Sequence, residues 1–157
     1  MKKEIEFIKG DATTPTGVGK KIIVHICNDI GGWGKGFVMA ISKKWKEPEA
    51  QYREWHQSQD GFALGEVQIV QVEENIWVAN MIGQRKINQD EHGNPPIRYE
   101  AVEQALEKVA VFAKKMDASI HMPRIGCGLA GGKWELMEPI ISKQLSEHGI
   151  AVTVYDF

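Results

Sequence analysis

The chain has 157 residues, 43% hydrophobic and 25% charged, with a formal net charge of −2 and a pI of about 6.2. That length fits one globular domain over 1–157. The near-balanced charge excludes a broad basic surface for duplex nucleic acid, so nucleic acid is not an expected partner.

The opening "MKKEIEFIKGD" is charged and too short in apolar run for a signal peptide or a membrane span. Its "EIEFIKG" alternates as a short strand does. "DATTPTGVGKK" is turn material, and "KKIIVHIC" is a near-continuous β-branched run of the kind found in buried strands. A glycine-rich stretch, 28–36, leads into "FVMAISKKW", which has helical apolar spacing. Pro48 suits the first turn of a further helix, "PEAQYREWHQ". "EVQIVQV" and "NIWVANMI" read as strands joined by a tight turn at Glu73–Asn75. The polar stretch 83–96, "GQRKINQDEHGNPP", is long for a connection and marks a functional or mobile loop. "IRYEAVEQALEKVAVFAKKM" is the clearest helix, with Tyr99, Val102, Leu106, Val109 and Phe112 on one face. "ASIHMPRI" is a strand, a second glycine loop follows, Trp134, Met137, Ile141 and Leu145 mark a helix, and "IAVTVYDF" is a strand. The order β-β-α-α-β-β-α-β-α-β predicts a mixed sheet with helices on both faces.

Cys27 and Cys127 lie far apart and form no CxxC, and the five histidines are scattered. Reduced thiols, a cytoplasmic location and no metal or cofactor are the resulting expectations.

Gly126, Gly128 and Gly131 spell G-x-G-x-x-G, the dinucleotide-binding pattern. It arrives near the end of the chain with room for one more strand, and Asp156, the only acidic candidate at the end of that strand, lies too far along for the position expected about 20 residues on. A redox dinucleotide site is therefore disfavoured. The physics survives, because glycine lets backbone N–H groups approach a phosphate and a helix N-terminus favours negative charge. "GCGLAGG" has four glycines in seven, more than a plain turn needs. A second cluster, Gly31, Gly32, Gly34 and Gly36, also lies between a buried strand and a helix, so both loops fall where open α/β sheets bind ligands.

Single residues carry two readings each. His25 is a satisfied core histidine or a base. Asn28 is a turn former or a partner for ribose hydroxyls. Asp11 caps a turn or accepts from an adenine amino group. Cys127 fills a loop unless a base stands beside it. Trp45, Trp55, Trp77 and Trp134 fall on amphipathic or buried positions, whereas Trp33 sits in a glycine loop where packing alone would not ask for it.

"IKGDAT", "HICNDIGGWGKGFVMAI", "VANMIGQ", "PPIRYEAVEQAL", "MPRIGCGLAGGKWE" and "VTVYDF" together resemble the macrodomain family of ADP-ribose-binding proteins over nearly the whole chain. The resemblance implies a three-layer α/β/α sandwich around a mixed, mostly parallel sheet. It implies that Gly10, Asp11 and Ala12 hold adenine, and that Asn28 with Trp33, Gly34, Lys35, Gly36 and Phe37 hold the distal ribose. Ile125, Gly126, Cys127, Gly128, Leu129 and Ala130 would wrap the diphosphate, and Phe157 or Tyr155 would pack on adenine.

Within the family the chain resembles the branch of terminal ADP-ribose protein glycohydrolases and ADP-ribose 1''-phosphate phosphatases. The glycohydrolase lysine and aspartate align with Gln84 and Ala130, which can be neither adduct former nor base; Lys86 lies two residues on. "HICN" and the tryptophan–glycine loop are closer to the phosphatases, which makes His25 the candidate base or nucleophile. The expectation is a hydrolase acting on an ADP-ribose derivative such as ADP-ribose 1''-phosphate, with Asn28 orienting the ribose. The alternatives are a non-catalytic ADP-ribose reader and a hydrolase that frees ADP-ribosylated protein or another modified macromolecule.

Overall fold

Residues 2–157 are described in a computed structural model of the chain. In chain order the elements are β1 (Glu6–Lys9), β2 (Lys21–Asn28), α1 (Phe37–Lys44), α2 (Glu47–Ser58), β3 (Val67–Glu73), β4 (Ile76–Gln84), α3 (Tyr99–Met116), β5 (Ser119–Met122), α4 (Trp134–Gln144) and β6 (Val152–Asp156). The strands form one sheet in the order β1-β6-β5-β2-β4-β3, parallel throughout except where β3 runs against β4. The three-layer α/β/α sandwich with its mostly parallel sheet is the architecture expected above.

The strand period of two sorts the apolar side chains into two cores. Ile22 and Val24 of β2, Met81 of β4 and Ile120 of β5 pack with Val102, Leu106 and Val109 of α3 and Met137 and Ile141 of α4. Ile23, Val78 and Ile82 face the other way, onto Val38 and Ile41 of α1 and Tyr52 of α2. A strand buried on both faces needs the unbroken apolar run that β2 carries. Burying each such side chain contributes roughly 1.5–3 kcal/mol.

Local chemistry sets the ends. β5 stops at Met122 rather than running on to Ile125, because Pro123 has no N–H for the ladder. α3 ends at Asp117, whose φ of 54° is left-handed. Pairing of β2 with β4 shifts between Cys27 and Asn28, so Gly83 is passed over and Asn28 stands opposite Gln84. Such a bulge re-aims the residues at a strand's end. The carboxyl ends of β1, β6, β5, β2 and β4 all open on one edge of the sheet, where the loops after β1, β2 and β5 meet.

Candidate functional site

Two hollows lie along that edge. The first, of about 430 Å³, is lined by Gly10, Asp11 and Ala12 after β1, Phe37 and Lys43 of α1, and Tyr155 and Phe157. The second, of about 270 Å³, is lined by His25, Lys35, Gly36 and Gln84, and by Arg124, Gly126, Gly128, Leu129 and Ala130 of the loop after β5. Phe37 and Pro123 line both, so the hollows are halves of one cleft. It lies in the crevice beyond the strand carboxyl ends that open α/β sheets offer to ligands.

The glycines of the loop after β5 divide by role. Gly126 has φ 71°, and a Cβ there would stand 2.7 Å from Ile97 Cδ1. Gly131 has φ 76° and would meet Pro95 Cβ at 2.8 Å, while a Cβ on Gly132 would run into the Gly126 carbonyl oxygen. These three serve the fold. Gly128 has no left-handed φ, a Cβ on it would meet nothing within 4 Å, and it lines the cleft. Its bareness leaves room for something outside the chain. Across the cleft Gly36 has φ 84°, and a Cβ on it would stand 3.4 Å from Leu129 Cδ1, so the two loops touch at that point. Leu129 is 69% exposed, a large apolar group held over the opening.

At the far end, Asp11 Oδ1 accepts from the Thr13 N–H and the Thr13 hydroxyl, both at 2.8 Å. Oδ2 has no side-chain or backbone donor among the described residues. One oxygen holds the turn, and the other keeps an open valence on a residue that lines the first hollow.

His25 is 2% exposed. Asn80 Nδ2 donates to the Pro48 carbonyl and to Gln68 Oε1, both at 3.1 Å, which leaves Asn80 Oδ1 as the acceptor for His25 Nε2–H at 2.6 Å. That fixes the tautomer: Nδ1 carries a lone pair, and it is the one buried side-chain polar atom without a partner among the described residues. Burial lowers the His25 pKa to about 4, against the Asn80 bond that raises it, so the ring is neutral at pH 7. Trp33 meets it edge-on at 5.4 Å, and Phe37 lies at 6.0 Å.

Asn28 is used within its own loop. Oδ1 accepts from Ile30 N–H (3.0 Å), Gly32 N–H (2.9 Å) and the Tyr52 hydroxyl (2.8 Å), and Nδ2 donates to the Gly32 carbonyl (3.0 Å). It shapes the loop from behind and does not line the cleft. Trp33 corrects the sequence reading, since packing does account for it. At 4% exposure it lies in the α1–α2 core, with Nε1–H donating to Ser42 Oγ at 2.7 Å and the ring against Tyr52. The glycines around it let the chain turn inward and deliver the indole to the core. Gly34 and Cys127 also stand outside the cleft lining, while Gly10, Asp11, Ala12, Tyr155 and Phe157 line the first hollow, His25, Lys35, Gly36, Ile125, Gly126, Gly128, Leu129 and Ala130 the second, and Phe37 both.

Sequence reasoning missed Pro123, Arg124, Lys43 and Lys44. The first two lead directly into the glycine loop, and the lysines form a basic pair in the last turn of α1. Arg124 Nε and Nη2 donate to the two carboxylate oxygens of Asp156 at 2.7 and 3.0 Å. Its guanidinium also lies over the rings of both Phe7 (5.0 Å) and Trp134 (4.8 Å), which meet each other edge-on at 6.1 Å. These contacts tie the start of the glycine loop to β6, β1 and α4.

A second buried imidazole, His121 of β5, has its pKa lowered by burial to about 4 as well. In the unfolded chain both histidines titrate near 6.5. Their stabilisation is complete above that pH and is lost as pH falls from 6.5 toward 4, because only the unfolded chain takes up the protons. Each contributes a slope of about 1.4 kcal/mol per pH unit in that window. Urea unfolding should therefore show a loss of about 4 kcal/mol between pH 7 and pH 5. A flat profile would show that the two rings are protonated in the fold.

Among the described residues no helix is long and apolar enough to cross a membrane. The Macro domain family model matches residues 24–141. The solved macrodomain protein from Streptomyces coelicolor is 53% identical, with a TM-score of 0.88 over 98% of this chain and 99% of that one. The chromodomain-helicase-DNA-binding protein 1-like protein of Mus musculus is 30% identical over 98% of this chain, which spans 18% of that protein's length. An ADP-ribose 1''-phosphate phosphatase of Candida albicans is 28% identical over 88% of this chain and 92% of its own.

Proposed function

Since the chain belongs to the Macro domain family, we propose that its cleft binds ADP-ribose or a derivative and hydrolyses a small group, phosphate above all, from the distal ribose. The continuity of the two hollows across Phe37 and Pro123 carries the binding half of this reading. One end offers a carboxylate oxygen and aromatic walls, as a nucleobase requires. The other offers Gly36 and Gly128, whose bare backbones admit phosphate oxygens to N–H groups at close range. A relative of matching length is named for ADP-ribose 1''-phosphate, a ligand of this shape.

For hydrolysis, His25 Nδ1 is the acceptor. Water adds to phosphorus as the bond between phosphorus and the ribose oxygen breaks; the water proton passes to Nδ1, and the departing ribose oxygen takes it up. Asn80 holds the ring through Nε2, so the lone pair keeps its direction. The glycine-loop N–H groups offset the charge gathering on the phosphoryl oxygens. Asn28 serves the ribose indirectly, by holding the 28–32 loop in shape.

A second reading, a reader without turnover, draws on the near-complete burial and weak basicity of His25 and on the uncharged Gln84 and Ala130. A third, release of ADP-ribosylated protein, uses the same cleft with a larger leaving group. Incubation with ADP-ribose 1''-phosphate and with ADP-ribosylated protein, followed by product identification, separates the three. The expected result is phosphate release, with ADP-ribose bound at micromolar Kd, about −8 kcal/mol. Tight binding without product from either substrate establishes the reader, and a preference for NAD over ADP-ribose overturns the ligand class.

A further inference from the structure

We infer that His121 is a positioning residue for the nucleobase end of the cleft and acts there through the Tyr155 hydroxyl. The inference rests on the ligand reading above. His121 does not line the cleft. Ile120 and Met122 beside it face the α3–α4 core, and His121 points to the opposite side of the sheet. The apolar cluster beneath α1 and α2 holds no residue of β5 or β6, so this polar patch is not part of that core.

The proton directions in the patch can be read in sequence. Thr16 N–H donates to the Tyr155 oxygen at 2.9 Å. The Tyr155 hydroxyl hydrogen then goes to His121 Nδ1 at 2.6 Å rather than to the Thr16 hydroxyl oxygen at 3.3 Å, Nε2–H donates to Ser119 Oγ at 2.7 Å, and the serine hydroxyl reaches the Lys20 carbonyl at 3.4 Å. Only a neutral imidazole offers one acceptor and one donor in this order. The Tyr155 hydroxyl is thereby consumed, and the ring is held as a wall of the hollow, with Cδ2 3.5 Å from where a Cβ on Gly10 would lie.

The same hydroxyl pins the segment that carries Asp11 and Ala12. That segment is tied at Gly10, whose N–H donates to the Asp156 carbonyl (2.9 Å), at Thr13, whose carbonyl accepts from Lys44 Nζ (2.6 Å), and at Thr16. The third tie depends on how His121 orients Tyr155. Loss of that orientation releases both the ring wall and the far end of the Asp11 turn.

A double-mutant cycle tests this, with Tyr155→Phe and His121→Leu measured by calorimetry on ADP and on ADP-ribose, well below each variant's melting midpoint. Each single change is expected to weaken both ligands about tenfold, the scale of one lost hydrogen bond. The double variant should bind no worse than the weaker single, because the two residues act as one unit. His121→Asn, whose amide oxygen can accept from Tyr155, should recover most of the affinity; a role in stability alone would not give that recovery. Tyr155→Phe keeps the ring and so remains informative should His121→Leu fail to fold. Losses that multiply in the double variant, or folded singles that bind ADP within twofold of wild type, overturn the inference. Wild-type protein that binds neither ligand overturns the functional reading and the inference together.

Discussion

Gly128→Val is expected to leave the fold intact and to weaken ADP-ribose binding by at least about 100-fold, or 2.7 kcal/mol. A Cβ on Gly128 meets no atom within 4 Å and its φ is not left-handed, so a side chain can start there without a Cβ clash or backbone strain. The added methyl groups fill the side of the cleft where backbone N–H groups would meet the diphosphate. Losing two such charge-assisted hydrogen bonds accounts for an effect of this size. Gly132→Ala is the contrasting control. Its methyl would collide with the Gly126 carbonyl oxygen, so stability should fall there. Calorimetry beside thermal melts checks both, and a folded Gly128→Val protein with unchanged affinity would reduce the loop to a turn.

The second large effect falls on turnover. His25→Ala should lower the hydrolytic rate by roughly 10²–10⁴, the span of a general base. Ligand affinity should stay within a few fold, since the proton moves only in the transition state. Alanine also strands Asn80 Oδ1 without its donor and leaves a hole beside Trp33 and Phe37, so its melting point should drop as well. His25→Gln separates the two causes. Its amide can still donate to Asn80 while the Nδ1 lone pair is gone. Wild-type hydrolysis by folded His25→Gln would end the case for this base.

The layers of the fold were legible because β2 and α3 state their burial outright, one as an unbroken β-branched run, the other as a stripe at helical spacing. The cleft was half legible. Glycine clusters after two strands mark close backbone approach, yet spacing alone cannot say that Gly126, Gly131 and Gly132 are held by their neighbours while Gly128 stands bare beside the cleft. That distinction depends on Ile97 and Pro95, distant in sequence and brought in by folding. Asn28 and Trp33 misled for a related reason. A polar residue beside glycines suggests a ligand, but Asn28 is absorbed by Ile30, Gly32 and Tyr52, and Trp33 by Ser42 and the α1–α2 core. His121 was read only as a strand residue, and Tyr155 as a candidate wall for adenine without its partner, because nothing in a sequence says which strands will be neighbours.

The strand order has a consequence for when the protein becomes competent. β6 lies between β1 and β5, so β1 has no partner until residues 152–156 exist. Its four residues wait while about 140 more are synthesised, some 7–30 s at ordinary ribosomal rates. Gly10, Asp11 and Ala12 wait with it, because Tyr155 and Phe157, which line the same hollow, are made some 145 residues later. The glycine-loop half, from His25 to Ala130, is translated earlier and can collapse first. A nascent chain that has reached Ala130 therefore carries the His25 half of the cleft without the Tyr155 half, which is completed only once β6 has been made.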